Sequence, residues 1–266
     1  QGFALSIAHQ DENAALLFLK CSPKKADGFC QFPITPFTFP ALSSVPCYAT
    51  MKKEGWIIMY KLETHAHTME GSACSHIRGA DLCRAYKKAG YNGLFITDHF
   101  YYGNTAVPRT LPWEEWVHRF CLGYHHAREA GRKLGLDVFF GWESSYYGID
   151  FLIYGLDENW LLSHPQVVDW SVEEQFFEID RAGGVVVQAH PFREASYLPR
   201  IQLYPDYVHA IEGINTGNAK PVFNRRAVEF ARQHHLPITG GSDTHDKHLS
   251  GGGMLFFSPI RGGEDF

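Results

Sequence analysis

Histidines and carboxylates recur along this chain in short clusters, each just past a stretch of strand-forming residues. His65-x-His67 follows 60–64, Thr97-Asp98-His99 follows 93–96, and Gly141-x-Glu143 follows 138–140. Ala189-His190-Pro191 follows 185–188, and Asp243-x-His245 follows 237–239. Side chains on a strand return to the same face every second residue, so His-x-His and Asp-x-His each aim a pair of donors in one direction. Imidazoles and carboxylates delivered from the ends of successive strands suit hard and borderline divalent cations. The pattern therefore predicts a polynuclear metal site at one rim of a sheet.

Helix-like segments separate these strands. Leu82, Ala85, Tyr86 and Ala89 share one face of 79–89, and Gly90 supplies a stop. A long helix is expected over 112–134, with Trp116, Val117, Phe120, Tyr124 and Ala127 inward and Gly135 closing it. Ser171-x-x-Glu174 has the form of a capping box opening a helix that ends at Gly183-Gly184. Pro221 suits the first turn of another, bearing Phe223, Ala227, Val228 and Phe230. Strand and helix alternating in this way predict an α/β fold with a parallel sheet, and at this length a barrel whose functional groups sit at the C-terminal ends of the strands.

The chain has 266 residues, 45% hydrophobic and 20% charged, which is ordinary for a globular domain with a substantial core. A net charge of −5 provides no basic field for nucleic acid. The apolar stretch 14–19 is too short to span a membrane and follows Asp11 and Glu12, so neither a membrane segment nor a secretory leader is expected, and the cytoplasm is the expected location. The six cysteines show no CxxC and read as reduced thiols. Residues 1–58, with prolines at 23, 33, 36, 40 and 46, read as an N-terminal extension outside the core fold; Met51 or Met59 is the expected natural start, so deletion of 1–50 is expected to leave stability and metal content unchanged. The domain proper is expected over 59–266, and the run from Arg261 to Phe266 suggests that a last element is missing.

The fragments His65-Ala66-His67-Thr68, Ile96-Thr97-Asp98-His99, Gly141-Trp142-Glu143, Gln188-Ala189-His190-Pro191 and Gly241-Ser242-Asp243-Thr244-His245 resemble, in order, the motifs of the polymerase and histidinol phosphatase (PHP) family of metal-dependent phosphoesterases. The resemblance spans 60–250. It implies a distorted (β/α)7 barrel holding two or three divalent ions, zinc, manganese or iron. Carried over by residue, it implies that His65, His67, Glu143 and Asp243 hold one ion, and that Glu143 bridges to a second shared with His190. Many relatives add a histidine before the following apolar strand; Asp150 stands there here and is taken as the replacement. His99 and His245 would belong to a third ion. Relatives complete that ion with an acid or histidine after His-x-His; Glu70 is the carboxylate available, the alternative being a weak or empty third position. Cys74 lies in the same loop.

What the resemblance implies for activity is hydrolysis of a phosphomonoester or phosphodiester by a metal-activated water. Asp98 is expected to orient an imidazole or act as general base, and Arg193 to grip phosphate oxygens. The expected partner is a small phosphorylated substrate, with no membrane, and the oligomeric state is open. Other readings stay open: a 5′–3′ exonuclease on short single strands, an amidohydrolase-like C–N hydrolase, and a metal-stabilised module without turnover. The remaining histidines, among them His118, His125, His126, His234 and His235, read as surface residues. Tyr101 and Tyr102, just past His99, are candidates to shape the mouth of the site.

Overall fold

A computed structural model describes residues 59–265, apart from 197 and 199, together with four short strands upstream, Ala4–Ser6, Leu17–Leu19, Ala49–Lys52 and Gly55–Ile58. The rest of the expected extension, 1–58, lies outside the described residues; Ala4–Ser6 pairs antiparallel with Met254–Phe256 and with Leu17–Leu19 at the edge of the sheet, and the other two strands pair with each other. The core is one sheet, nearly closed into a barrel. Strands β1 (Tyr60–Glu63), β2 (Gly93–Ile96) and the first half of β3 (Asp137–Tyr146) run parallel. Strand β4 (Ile149–Tyr154) returns antiparallel along the second half of β3 and pairs antiparallel with β5 (Val185–Gln188). Strands β5, β6 (Ala210–Asn215) and β7 (Ile238–Gly241) are parallel again, and β8 (Met254–Phe256) pairs antiparallel with β1. The segments beyond β1 and β7 then meet directly. His67 N–H donates to the Thr244 carbonyl at 2.9 Å, and Ala66 bridges Thr244 in parallel.

The fold is thus the α/β barrel expected, with differences. Strand β4 reverses because Tyr147 (φ 53°) and Gly148 (φ 85°) form a two-residue turn with both φ positive, the geometry that matches the twist of a tight hairpin. Strands β6 and β8 were not evident as strands from the pattern. The long helix expected over 112–134 is two, α2 (Trp113–Phe120) and α3 (Leu122–Leu134), divided at Cys121. The other helices follow expectation: α1 (Gly79–Lys88), α5 (Val172–Arg181) with both capping-box hydrogen bonds present, and α6 (Pro221–Gln233) with its first-turn proline. The short α4 (Glu158–Ser163) lies between β4 and α5. None of the helices among the described residues is long and apolar enough to cross a membrane.

Strand alternation sorts the core. Leu62, Phe95, Leu152, Tyr154, Val187 and Ala189 pack together in one cluster, and Phe139 joins them. Their neighbours Leu94 and Ile96 face α1 and α3, while Phe140, Trp142, Phe151 and Ile153 face the aromatic cluster around Trp116 and Phe120. The same parity that turns Phe95 into the barrel also turns Thr97 and His99 inward; Phe139 likewise predicts Glu143, and Leu152 predicts Asp150.

Candidate metal centre

At the C-terminal rim these inward donors meet. His65 Nε2 lies 3.1 Å from His67 Nε2, 3.3 Å from Glu143 Oε1 and 3.4 Å from Asp243 Oδ1. His67 Nε2 is 3.2 Å from the same Asp243 oxygen. His190 Nε2 lies 3.1 Å from Glu143 Oε1 and 3.9 Å from Asp150 Oδ2. His99 Nδ1 faces Glu143 Oε2 at 2.6 Å. Donor atoms group within 4.8 Å of one another as His65–His67–Glu143, His65–His190–Asp243, Glu143–Asp150–His190 and His67–His99–His245. Glu143 and His67 each belong to more than one group, as bridging and central ligands would.

The fit to cations rests on where these atoms point. Glu143 Oε2 and His99 Nδ1 are buried and meet at 2.6 Å, but without the geometry of a hydrogen bond. Leaving such groups unpaired costs about 1–3 kcal/mol each, a cost a shared cation would remove. His190 (φ 28°) and Asp243 (φ 55°) both adopt left-handed backbone conformations, the strain that tends to collect at functional sites. A cavity of about 430 Å³ opens elsewhere, at the opposite end of the barrel among Tyr124, Arg128, Trp160 and Arg261, away from these donors.

Surrounding groups fix the imidazole tautomers. His65 Nδ1 lies 2.9 Å from Glu212 Oε1, so it carries the proton and leaves Nε2 as a donor of its lone pair. Burial by itself lowers the pKa of His65, but Glu212, Asp243 and Glu143 outweigh it and hold it well above the ordinary imidazole range. His67 Nδ1 donates to Ser72 Oγ at 3.0 Å, and that hydroxyl donates on to Asp98 Oδ1 at 2.7 Å. Burial, followed by the neighbouring His99 and His245, pushes the pKa of His67 well below its usual value. His245 Nδ1 donates to the Asp243 carbonyl at 2.8 Å.

The expected site residues divide accordingly. His65, His67, His99, Glu143, Asp150, His190, Asp243 and His245 are brought together. Glu70 is not. Its Oε2 accepts from Gly79 N–H at 3.1 Å at the start of α1, and its Oε1 pairs with His126 at 3.0 Å. The free backbone amides of a helix N-terminus are a strong attraction for a carboxylate, and they hold this one away from the cluster. Asp98 lies behind the centre, accepting from Thr68 N–H at 2.6 Å, Thr68 Oγ at 2.7 Å and Ser72 Oγ. Burial raises its pKa to about 6 against those hydrogen bonds. A Cβ on Gly71 would lie 2.5 Å from the Asp98 carboxyl, and one on Gly123 would lie 2.0 Å from Thr68 Oγ, so small residues are required on both sides. Arg193 is at the rim, donating to Asp243 Oδ2 at 2.6 Å, Asn218 Oδ1 at 2.8 Å and Asn215 Oδ1 at 3.1 Å.

Glu212 was missed from sequence. Besides bracing His65 it accepts from His190 N–H at 2.8 Å, linking two candidate ligands from β6. Its signal was a carboxylate inside the apolar run 210–214, where a charge is expected only with buried partners. Glu63 was missed likewise; its Oε1 accepts the N–H groups of Thr64, His65 and Ser242, each at 2.9 Å, and clamps the ends of β1 and β7 together. Burial would raise the pKa of Cys74, but His245 and His99 bring it down to about 6.

A PHP-associated family profile matches residues 221–248, from α6 through Asp243-x-His245. Set beside the barrel and the ordered strand-end motifs, that match supports the resemblance to the PHP family. A candidate metal-dependent phosphoesterase from Bifidobacterium adolescentis has the same fold, with a TM-score of 0.52 and 18% identity over 72% of this chain and 91% of that one. A two-domain Bacteroides vulgatus protein containing a predicted PHP-like metal-dependent phosphoesterase aligns with a TM-score of 0.48 and 16% identity, over 71% of this chain and 53% of that one. An amidohydrolase from Chromobacterium violaceum with bound sulfate aligns with a TM-score of 0.49 and 15% identity, over 72% and 90% of the two chains. No curated protein matches the sequence. At these identities the PHP likeness speaks to fold, and the chemistry has to be argued from the rim itself.

Proposed function

We propose that this PHP-like domain is a metal-dependent phosphoesterase acting on a small phosphorylated substrate. The observation that carries the reading is the shared carboxylate of Glu143, with one oxygen beside His65 and His190 and the other beside His67 and His99. In this reading His65, His67, Glu143 and Asp243 hold one divalent ion, and Glu143, Asp150 and His190 hold a second. His67, His99 and His245 hold a third. Zinc, manganese or iron is expected from the mixed imidazole and carboxylate donors. Ions so held lower the pKa of a coordinated water and neutralise charge on phosphoryl oxygens.

The residues around the ions do the remaining work. Glu212 and Ser72 hold two imidazoles in the ligating tautomer, and Asp98 holds Ser72. A narrow cleft beside His190 and Asp150 is edged by Arg193 and Arg200, which favours an anionic substrate that approaches along β4 and β5. Arg193 orients the phosphoryl group, and its contact with Asp243 ties that role to the ligand set.

The test is elemental analysis of the purified protein, then a screen of phosphomonoesters, phosphodiesters and short oligonucleotides with added manganese, zinc or iron(II). Phosphoester turnover that is abolished in His67→Ala is expected. Bound metal without turnover on any phosphoester would sink the reading, and salt-sensitive cleavage of oligonucleotides alone would move it to the nuclease alternative.

A further inference from the structure

Each nitrogen of the Arg193 guanidinium meets a different acceptor. Nε donates to Asn218 Oδ1 at 2.8 Å, Nη2 to Asn215 Oδ1 at 3.1 Å and Nη1 to Asp243 Oδ2 at 2.6 Å. Acceptors in separate directions fix both the plane and the position of the group, where a pair with Asp243 alone would let it swing. Asp243 is also a candidate metal ligand, and its other oxygen, Oδ1, lies 3.2 Å from His67 Nε2.

The two amides are themselves oriented from behind. Asn224, in the first turn of α6, accepts through Oδ1 from Asn218 Nδ2 at 2.7 Å and from Asn215 N–H at 3.1 Å. Its Nδ2 donates to the Asn215 carbonyl at 3.0 Å. Asn215 Nδ2 donates to Glu212 Oε2 at 2.9 Å, which turns its oxygen towards the cation. The reverse orientation would set a carbonyl against the carboxylate and an amino group against the guanidinium. Asn215 is fully buried and Asn218 nearly so. Gly217 between them has no room for a side chain, because a Cβ there would lie 2.8 Å from the Ser242 carbonyl oxygen and 3.1 Å from Asn215 Oδ1.

We infer that Asn218, set by Asn224, is a positioning residue for Arg193. With Asn215 it aims the guanidinium into the cleft that also takes in Asp150 and His190, where a phosphoryl group would be bound. It also confines the contact with Asp243 to Oδ2, so that Oδ1 stays with the ion. The inference rests on the phosphoesterase reading above and adds the machinery that stands behind its arginine. Asn218 spends its side-chain bonds on Arg193 and Asn224, so its loss acts on phosphate rather than on metal content.

Binding of inorganic phosphate to the metal-loaded protein, measured by calorimetry beside steady-state kinetics on a phosphoester, tests this. Asn218→Ala is expected to weaken phosphate binding and raise KM by about tenfold, with kcat changed less than about threefold and metal stoichiometry unaltered. In the Arg193→Ala background the same substitution should change phosphate affinity less than about twofold, because no guanidinium is left to position. Equal effects in the two backgrounds would make Asn218 a general structural residue and overturn the inference. Unchanged phosphate affinity in either single variant would overturn it too, and leave the phosphoesterase reading standing. A wild-type protein that holds metal but neither binds phosphate nor turns over a phosphoester would sink both. Should Asn218→Ala fail to fold, Asn218→Ser, whose hydroxyl falls short of the guanidinium, is read in the same two backgrounds. The same split is expected there, and wild-type phosphate affinity would overturn the assignment.

Discussion

The inner and outer halves of the centre are supported by different chemistry. The inner half, around His65, His190, Glu143, Asp150 and Asp243, lies under the rim with His65 fully buried, and a carboxylate, Glu212, stands behind its imidazoles. The outer half, around His99 and His245, is more open, with His245 27% exposed; a backbone carbonyl, that of Asp243, braces His245, and a hydroxyl, that of Ser72, braces the shared His67 ring. An ionised brace makes an imidazole more basic and ties it to an anionic scaffold; a hydroxyl brace only orients it. On the proposed reading, the inner positions should bind more tightly than the outer one.

Replacing the shared ligands should have the largest effect. Glu143→Ala and Asp243→Ala are each expected to lower kcat/KM by about a thousandfold or more, roughly 4 kcal/mol, and to lose bound metal. His245→Ala should lose one equivalent of metal and a smaller share of activity; equal losses would erase the distinction between the halves.

The braces offer a sharper comparison. Glu212→Gln should weaken metal binding by about 10–100-fold with activity recovered at high metal, while Ser72→Ala should cost less than about tenfold. Titrations giving both variants the same deficit would show that an ionised brace has no advantage here.

Arg193→Ala sits between these cases. A phosphate-gripping role alone predicts a raised KM with metal retained, whereas its 2.6 Å contact with Asp243 predicts a modest loss of metal affinity as well. About a tenfold rise in KM with a few-fold weaker metal binding is expected from kinetics and metal titration. The smallest effect should come from Glu70→Ala. Loss of its helix-terminus hydrogen bond is expected to cost no more than about 1 kcal/mol in denaturant unfolding, with metal stoichiometry unchanged.

The site was legible in sequence wherever a ligand stood at the end of a strand. There the two-residue period fixes direction, so His65 and His67, or Asp243 and His245, could be read as pairs; Asp150, at the start of β4, was reached through the family resemblance. Loop residues gave no such direction. Glu70 was read as a ligand because the resemblance asks for an acid or histidine after His-x-His and it was the carboxylate available, but the amide of Gly79 together with His126, far along the chain on α3, holds it elsewhere. The division of 112–134 at Cys121 has no proline to mark it, and the nearest glycine, Gly123, lies inside α3. The two helices separate because α2 packs Trp116 and Phe120 against Phe100, while α3 lies along α1.

Local periodicity and donor chemistry therefore determined by themselves that this chain makes an α/β barrel with imidazoles and carboxylates at one rim, because both follow from side-chain alternation within a few residues. Tertiary structure alone decided which groups stand behind those donors. Glu212 reaches His65 only because β6 lies beside β7, and Glu70 meets His126 only because α3 packs along α1. Those are contacts between segments distant in sequence, set by packing and closure of the sheet, and no local pattern encodes them.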